Sequence, residues 1–232
     1  MPGLLVNLLW LVGILAEAAV VVCALKKGAF RRYLLLNLYM AGLLFVELGR
    51  YRIVSQYGLR STQFIYFYYY SDAILTIFLY FALCTLYSHV FSEMNAERYV
   101  KLGAILLLAG TALFTYAVVM QSTAKLLTHF VIELSQNLYF VGLVLTYVLW
   151  GAILKLRETR ARLIQLVLSL GVYFSLLAAN YAIRNLYPPL STVFIPLVQI
   201  FGVFLPLAWA YAFWRLPEEA RLVPARLAVI PR

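Results

Sequence analysis

Charged residues are scarce in this chain, and their scarcity excludes most classes of soluble protein. Asp, Glu, Lys and Arg make up 12% of the 232 residues, whereas hydrophobic residues make up 65%. Soluble globular domains are about a quarter charged and about half apolar. Because water cannot solvate so much apolar surface, the surplus must face lipid. The composition therefore predicts an integral membrane protein.

Histidine, cysteine and buried lysine are also rare, which excludes several cofactor sites. None of the five lysines falls inside the last apolar run, so a retinal Schiff base is excluded. The two histidines, His89 and His129, are predicted near opposite membrane faces and cannot share a haem or a metal ion. The two cysteines, Cys23 and Cys84, are predicted near the inner ends of two spans, where thiols stay reduced. No cofactor is expected.

Seven apolar runs are each long enough to cross a bilayer as a helix, which takes about 20 residues. They are predicted to be helices because the hydrophobic residues do not alternate with polar ones. The sequence thus predicts an all-α, seven-transmembrane-helix bundle over residues 1–214 and a short cytoplasmic tail containing proline over residues 215–232. The predicted spans are 3–25, 33–56, 64–90, 100–120, 126–154, 163–187 and 192–214.

Basic residues are concentrated in one set of connections, which predicts the direction of the bundle. Lys and Arg accumulate on the cytoplasmic side of membrane proteins, so the N-terminus is predicted outside and the C-terminus in the cytoplasm of a bacterial inner membrane. The net charge of +10 is then attributed to anionic lipid headgroups, and no nucleic-acid partner is expected. The predicted inner set holds 14 of the 19 basic residues: Lys26, Lys27, Arg31, Arg32, Arg98, Lys101, Lys155, Arg157, Arg160, Arg162, Arg215, Arg221, Arg226 and Arg232.

Polar residues inside the apolar runs are the candidate site. Ionisable side chains within spans are costly in lipid, so they usually face the bundle interior and mark function. With the predicted direction, they map to the outer half of the membrane, and they predict an outward-opening polar cavity between helices two, three, five, six and seven. Glu17 is predicted to lie apart from them, near Asn37. The candidate ligand-binding residues are Glu47, Arg50, Asp72, His129, Glu133, Asn137, Asn180, Arg184 and Gln199.

Three alternatives stay open at this point. The polar residues can be ion pairs and hydrogen bonds that only join helices. His129 with Glu47, Asp72 and Glu133 is a set that suits a metal preferring carboxylates. The aromatic run from Phe64 to Tyr70 is either an interfacial belt or a stacking wall for a flat ligand.

Two stretches carry a resemblance to a known family. Residues 66–91, YFYYYSDAILTIFLYFALCTLYSHVF, and residues 132–143, IELSQNLYFVGL, are similar to a family of small bacterial seven-helix membrane proteins that has no established activity. The likeness extends over helices two to six, and the family tends to have Glu where this chain has Asp72. The resemblance implies the fold and compartment described above, and it directs attention to Asp72, His89 and Glu133.

These patterns favour a non-enzymatic role. The leading interpretation is a seven-helix sensor or receptor-like protein that binds a small polar or amphipathic molecule in the outer half and signals through a separate membrane or cytoplasmic protein. A second interpretation is an accessory subunit of a larger membrane complex. A third is an intramembrane enzyme or a transporter.

Overall fold

The fold is a bundle of seven helices, seen in a computed structural model that describes residues 2–58, 61–91, 97–120, 126–186 and 191–218. The side chains of several residues at helix ends, Arg184 and Gln199 among them, lie outside that description, as does the tail after Glu218. All the regular elements in the described ranges are helices, which confirms the all-α prediction. They are α1 (Pro2–Lys26), α2 (Leu34–Tyr57), α3 (Thr62–Val90), α4 (Glu97–Val119), α5 (Leu126–Lys155), α6 (Ala161–Leu186) and α7 (Ser191–Arg215).

The helices have the length and composition that a bilayer requires. Six of them contain a stretch that is apolar and long enough to cross a membrane, and the described apolar part of α7, Ile200–Arg215, is shorter. Each helix begins and ends within three residues of the corresponding apolar run in the sequence. These properties indicate a helical, multi-pass membrane protein.

Six helices enclose one core, and α4 packs outside it. α1 contacts α2 and α7, α6 contacts α5 and α7, and α3 is central, since it contacts α2, α5 and α6. α4 contacts α3 and α5 and leaves most of its other face exposed. In the following sections, the N-terminal end of the bundle is the end where α1 begins, and the C-terminal end is the end where α7 ends.

Glycines allow α5 and α6 to pack closely along much of their length. An added Cβ at Gly142 would lie 2.5 Å from the Phe174 ring, and one at Gly171 would lie 2.5 Å from the Trp150 ring. Small residues at such crossings let two helix backbones approach each other, which is how helices associate in membranes without a hydrophobic driving force. This close packing fixes α6 against α5 and so determines which α6 side chains enter the interior.

Candidate functional site

An ion pair between Glu47 and Arg50 forms the centre of a polar cluster inside the bundle. The two residues are three apart on α2, so they share a face, and Arg50 Nη1 donates to Glu47 Oε1 at 2.6 Å. Trp10 of α1 donates its indole N–H to the other Glu47 oxygen. Arg50 Nη2 donates to Ser71 Oγ of α3 at 3.2 Å, and the guanidinium lies 4.4 Å from the centre of the Tyr68 ring. Three helices are therefore joined by this pair.

Asp72 lies beside the pair but has no cation of its own among the described side chains. Its carboxylate interacts electrostatically with Arg50, and the Ser135 hydroxyl of α5 is within hydrogen-bonding reach. Tyr139 Oη lies 3.5 Å from Asp72 Oδ1 and donates to it. The Tyr139 ring stacks on Tyr181 of α6, with 5.6 Å between their centres. The acid is thus held mainly by neutral hydroxyl groups.

Glu17 belongs to the same cluster, which corrects the prediction that it lies apart. Its carboxylate interacts electrostatically with Glu47 and Arg50, and it is 5% exposed. Its Oε2 atom has no hydrogen-bond partner within the described part of the chain. The reason for the error is that α1 packs against α2, which directs Glu17 toward residues late in α2 as well as toward early ones. We refer to Glu17, Glu47, Arg50, Ser71 and Asp72 as the interior cluster.

Two tyrosines that were not among the predicted ligand-binding residues line the interior cluster. Tyr39 of α2 and Tyr173 of α6 are within hydrogen-bonding reach of each other, and each interacts electrostatically with both Glu17 and Asp72. Tyr39 also packs edge-on against Trp209 of α7, with 6.2 Å between ring centres. In a hydropathy pattern, a tyrosine within a membrane span is hard to distinguish from an apolar residue. The position of Tyr39 and Tyr173 between Glu17 and Asp72 becomes apparent only from the packing of the helices.

Asn180 is buried with unpaired polar atoms. The residue is 2% exposed, and both its Nδ2 and its Oδ1 have no partner among the described residues. It lies seven residues after Tyr173, on the same face of α6. Its neighbour Tyr181 stacks on Tyr139, which places Asn180 at about the depth of Asp72. A buried amide without partners costs stability, so an unpaired one calls for an explanation.

The described contacts of the predicted α5 residues, His129, Glu133 and Asn137, are with groups outside the interior cluster. His129 Nε2 and Glu133 Oε1 are 3.9 Å apart, and about a third of each side chain is exposed. Asn137 donates to Thr115 Oγ1 of α4 at 3.0 Å and lines a groove of about 420 Å³ between α4 and α5. Ser135 and Tyr139, which approach Asp72, lie on a different face of α5. The described groups of α5 that reach Asp72 are those of Ser135 and Tyr139, so the prediction that Glu133 joins Asp72 in one cavity gains no support.

The remaining predicted residues have no described side-chain position. The backbone of Arg184 lies in α6 and that of Gln199 lies in α7, but both side chains are outside the described part of the structure. No group of three or more His, Cys, Asp and Glu side chains suited to a metal ion occurs among the described residues. The carboxylate-rich metal site that the sequence left open therefore gains no support.

The aromatic run at the start of α3 partly faces the bundle. Tyr68 lies against Arg50, and the Phe67 ring is so close to Gly49 that a Cβ there would lie 2.8 Å from it. Other members, such as Ile65 and Tyr66, are exposed. The run thus combines an exposed stripe with a wall that supports the Glu47–Arg50 pair.

A second polar cluster, which the sequence did not reveal, lies at the C-terminal end of the bundle. Arg162 begins α6, is 5% exposed, and donates to Glu218 Oε2 at 2.6 Å and to the Leu216 carbonyl at 2.6 and 2.8 Å. Glu218 also pairs with Arg32 at 3.3 Å and accepts from the Tyr33 hydroxyl at 3.1 Å. We refer to Arg32, Tyr33, Arg162 and Glu218 as the α7-end cluster. It ties the end of α7 to the beginnings of α2 and α6.

No family model, curated protein or solved structure matches this chain. The family resemblance of residues 66–91 and 132–143 therefore stays a prediction.

Proposed function

We propose that this chain is a membrane sensor that binds a small molecule at the interior cluster and passes the signal to a separate protein. The observation that carries the proposal is a set of buried polar atoms without described partners: Glu17 Oε2 within the interior cluster, and both side-chain polar atoms of Asn180 at about the depth of Asp72. Unpaired buried polar groups reduce stability, so a chain that contains them must have a reason to keep them. A polar ligand that completes their hydrogen bonds provides that reason.

The interior cluster is partly accessible. The Glu47 and Arg50 side chains are 16% and 11% exposed, and Asp72 is half-buried. The α7-end cluster, in contrast, joins three helices at the end nearest the tail. A ligand that contacts α1, α2, α3 and α6 would change how these helices pack, and the α7-end cluster contains Arg32 and Tyr33, which directly precede α2, and Arg162 of α6. This connection supports a sensor whose output surface lies at the C-terminal end.

We further propose that the seven helices all span a bacterial inner membrane, with the N-terminus outside. The proposal is supported by the distribution of basic residues, 14 of which lie in the α1–α2, α3–α4 and α5–α6 connections, in the adjoining helix ends, or at and after the end of α7. The interior cluster would then be reached from the periplasm. A reporter enzyme fused to the C-terminus that works only outside the cytoplasm should be inactive, and an active reporter would contradict this orientation.

A ligand screen with two matched variants tests the proposed function. Detergent-solubilised protein is heated with a broad library of small polar molecules, and ligands are scored by the rise in melting temperature, since binding to the folded state stabilises it. We expect hits with the wild-type chain and with Glu133→Gln, whose side chain faces away from the cluster, but not with Asp72→Asn. A library without hits, or hits that persist in Asp72→Asn, would contradict the proposal.

A further inference from the structure

We infer that the ligand of the interior cluster is a protonated amine. This inference rests on the proposed function and names the ligand class of the same site. The described side chains of the cluster include three carboxylates, on Glu17, Glu47 and Asp72, and one cation, Arg50. Arg50 is the group of the cluster that an anionic ligand would contact, and its contacts with the protein argue against such a ligand.

Two of the three guanidinium nitrogens of Arg50 are already occupied by groups of the protein, and the third, Nε, is buried without a partner among the described residues. One guanidinium nitrogen pairs with Glu47 at 2.6 Å, another donates to Ser71 at 3.2 Å, and the Tyr68 ring covers the group at 4.4 Å. The second Glu47 oxygen accepts from Trp10. Glu47 and Arg50 thus neutralise each other, and a ligand anion would have to break a short, partly buried ion pair to reach the guanidinium.

Asp72 and Glu17 are the carboxylates that remain. Asp72 has hydroxyl partners, one of them 3.5 Å away, and Glu17 is 95% buried with an oxygen that has no partner among the described residues. Two carboxylates in a poorly solvating interior repel an anion and attract a cation. Asn180, buried at about the depth of Asp72, adds an amide oxygen without a described partner, a further acceptor for an N–H group.

The lining favours an organic cation over a metal ion. Tyr39, Tyr139 and Tyr173 come from three helices and interact electrostatically with Asp72. Aromatic rings attract ammonium groups through their faces, and hydroxyl and carboxylate oxygens accept from the N–H groups. Metal ions instead need several ligating side chains close together, and the described residues contain no such group.

The test compares ligands of matched size and opposite charge. Wild-type protein is melted at fixed pH and ionic strength with a series of alkyl and aryl amines, with the neutral alcohols and the carboxylates of the same skeletons, and with sodium chloride. We expect amines to raise the melting temperature by several degrees and the other compounds to leave it unchanged. Glu17→Gln and Asp72→Asn should each lower the apparent amine affinity at least about tenfold, the equivalent of one lost charge-assisted contact. Glu133→Gln should bind amines as the wild type does.

The possible results separate this inference from the proposed function. Stabilisation by a neutral or anionic compound that Asp72→Asn abolishes would overturn the amine but keep the ligand site. Failure of every compound to stabilise the wild type would overturn both. Amine stabilisation that survives both Glu17→Gln and Asp72→Asn would place the amine elsewhere and overturn the inference. Folding of the variants is checked by their melting without ligand.

Discussion

The interior cluster and the α7-end cluster contain similar residues, but their polar atoms are satisfied to different degrees. In the α7-end cluster, Arg162 uses all three of its guanidinium nitrogens, and Glu218 accepts from Tyr33 and Arg162 and forms an ion pair with Arg32. In the interior cluster, Arg50 Nε and Glu17 Oε2 have no partner within the described part of the chain. Both clusters join α2 to neighbouring helices, so position in the bundle does not explain the difference.

The difference separates a structural role from a binding role. Completed hydrogen bonds hold helices together and leave nothing for a ligand to contact. Incomplete ones reduce stability unless a ligand completes them, and functional sites commonly retain such costs. We therefore expect substitutions in the α7-end cluster to affect stability most, and substitutions in the interior cluster to affect ligand response more than stability.

The largest expected effect is the loss of Arg162. Arg162→Gln should lower the free energy of unfolding by about 3 to 5 kcal/mol, the usual cost of removing one partner of a buried ion pair. The loss should appear as a strongly reduced melting temperature in detergent. Lys155→Gln is the matched control, because Lys155 is an exposed basic residue at the end of α5 near the same end of the bundle.

Two outcomes for Arg162 bear on the comparison. If Arg162→Gln melts like Lys155→Gln, the α7-end cluster does not hold the helices together, and the contrast between the two clusters disappears. If the double variant Arg162→Gln with Glu218→Gln is more stable than Arg162→Gln alone, the cost comes from the Glu218 carboxylate that has lost Arg162 as a partner.

Two buried asparagines give the next largest effect, in opposite directions. Asn37 is fully buried, and its Nδ2 donates to the Tyr33 carbonyl at 2.9 Å and the Phe30 carbonyl at 3.3 Å, while its Oδ1 has no described partner. In Asn180, neither Nδ2 nor Oδ1 has a described partner. Asn37→Leu should lower the free energy of unfolding by about 1 to 2 kcal/mol, because it removes hydrogen bonds. Asn180→Leu should leave stability unchanged or raise it, because it removes unpaired polar atoms.

Melting curves of the two asparagine variants, with and without a stabilising amine, provide the measurement. Asn180→Leu is expected to lose part of the amine response while it keeps its stability. A clear loss of stability in Asn180→Leu without ligand would mean that Asn180 has a structural partner, and the binding role assigned to it would fail.

Much of the fold was predictable from the sequence, because each helix is a single apolar run bounded by charged or turn-forming residues. The Glu47–Arg50 pair was predictable as well, since residues three apart on a helix share a face whatever surrounds them. Spacing within one helix is a local property. It depends only on the residues of that helix.

The residues that contact each helix face were not predictable, because these contacts depend on how the helices are arranged in the bundle. The spacing of His129, Glu133 and Asn137 is compatible with one face of α5, but α4 packs beside α5 and Asn137 contacts Thr115 of α4 instead of meeting Asp72. Glu17 was predicted to lie apart because nothing in α1 reveals that it approaches Glu47 and Arg50 of α2. Arg162 contributes to the count of basic residues that predicts orientation, and such a count carries no information on which side chains turn inward.

The smallest expected effect concerns Glu158, in the connection between α5 and α6. Partial burial raises the pKa of this carboxyl, but hydrogen bonds from the Arg160 side chain and from the backbone amides of Thr159 and Arg160 outweigh burial, so the pKa lies below its ordinary value of 4.5. Arg160 also donates to the His89 carbonyl at 2.9 Å, so the pair links this connection to the end of α3.

A lowered pKa of Glu158 in the folded state means that the charged carboxylate stabilises the fold above pH 4.5, and that this contribution is lost as the pH falls through the folded-state pKa. Glu158→Gln should therefore be less stable than the wild type at neutral pH by less than about 1 kcal/mol, since the pair lies near the surface. Melting temperatures of both proteins measured from neutral to acidic pH should converge below pH 4.5, and a difference that does not change with pH would show that the Glu158 charge adds nothing to the stability of the C-terminal end.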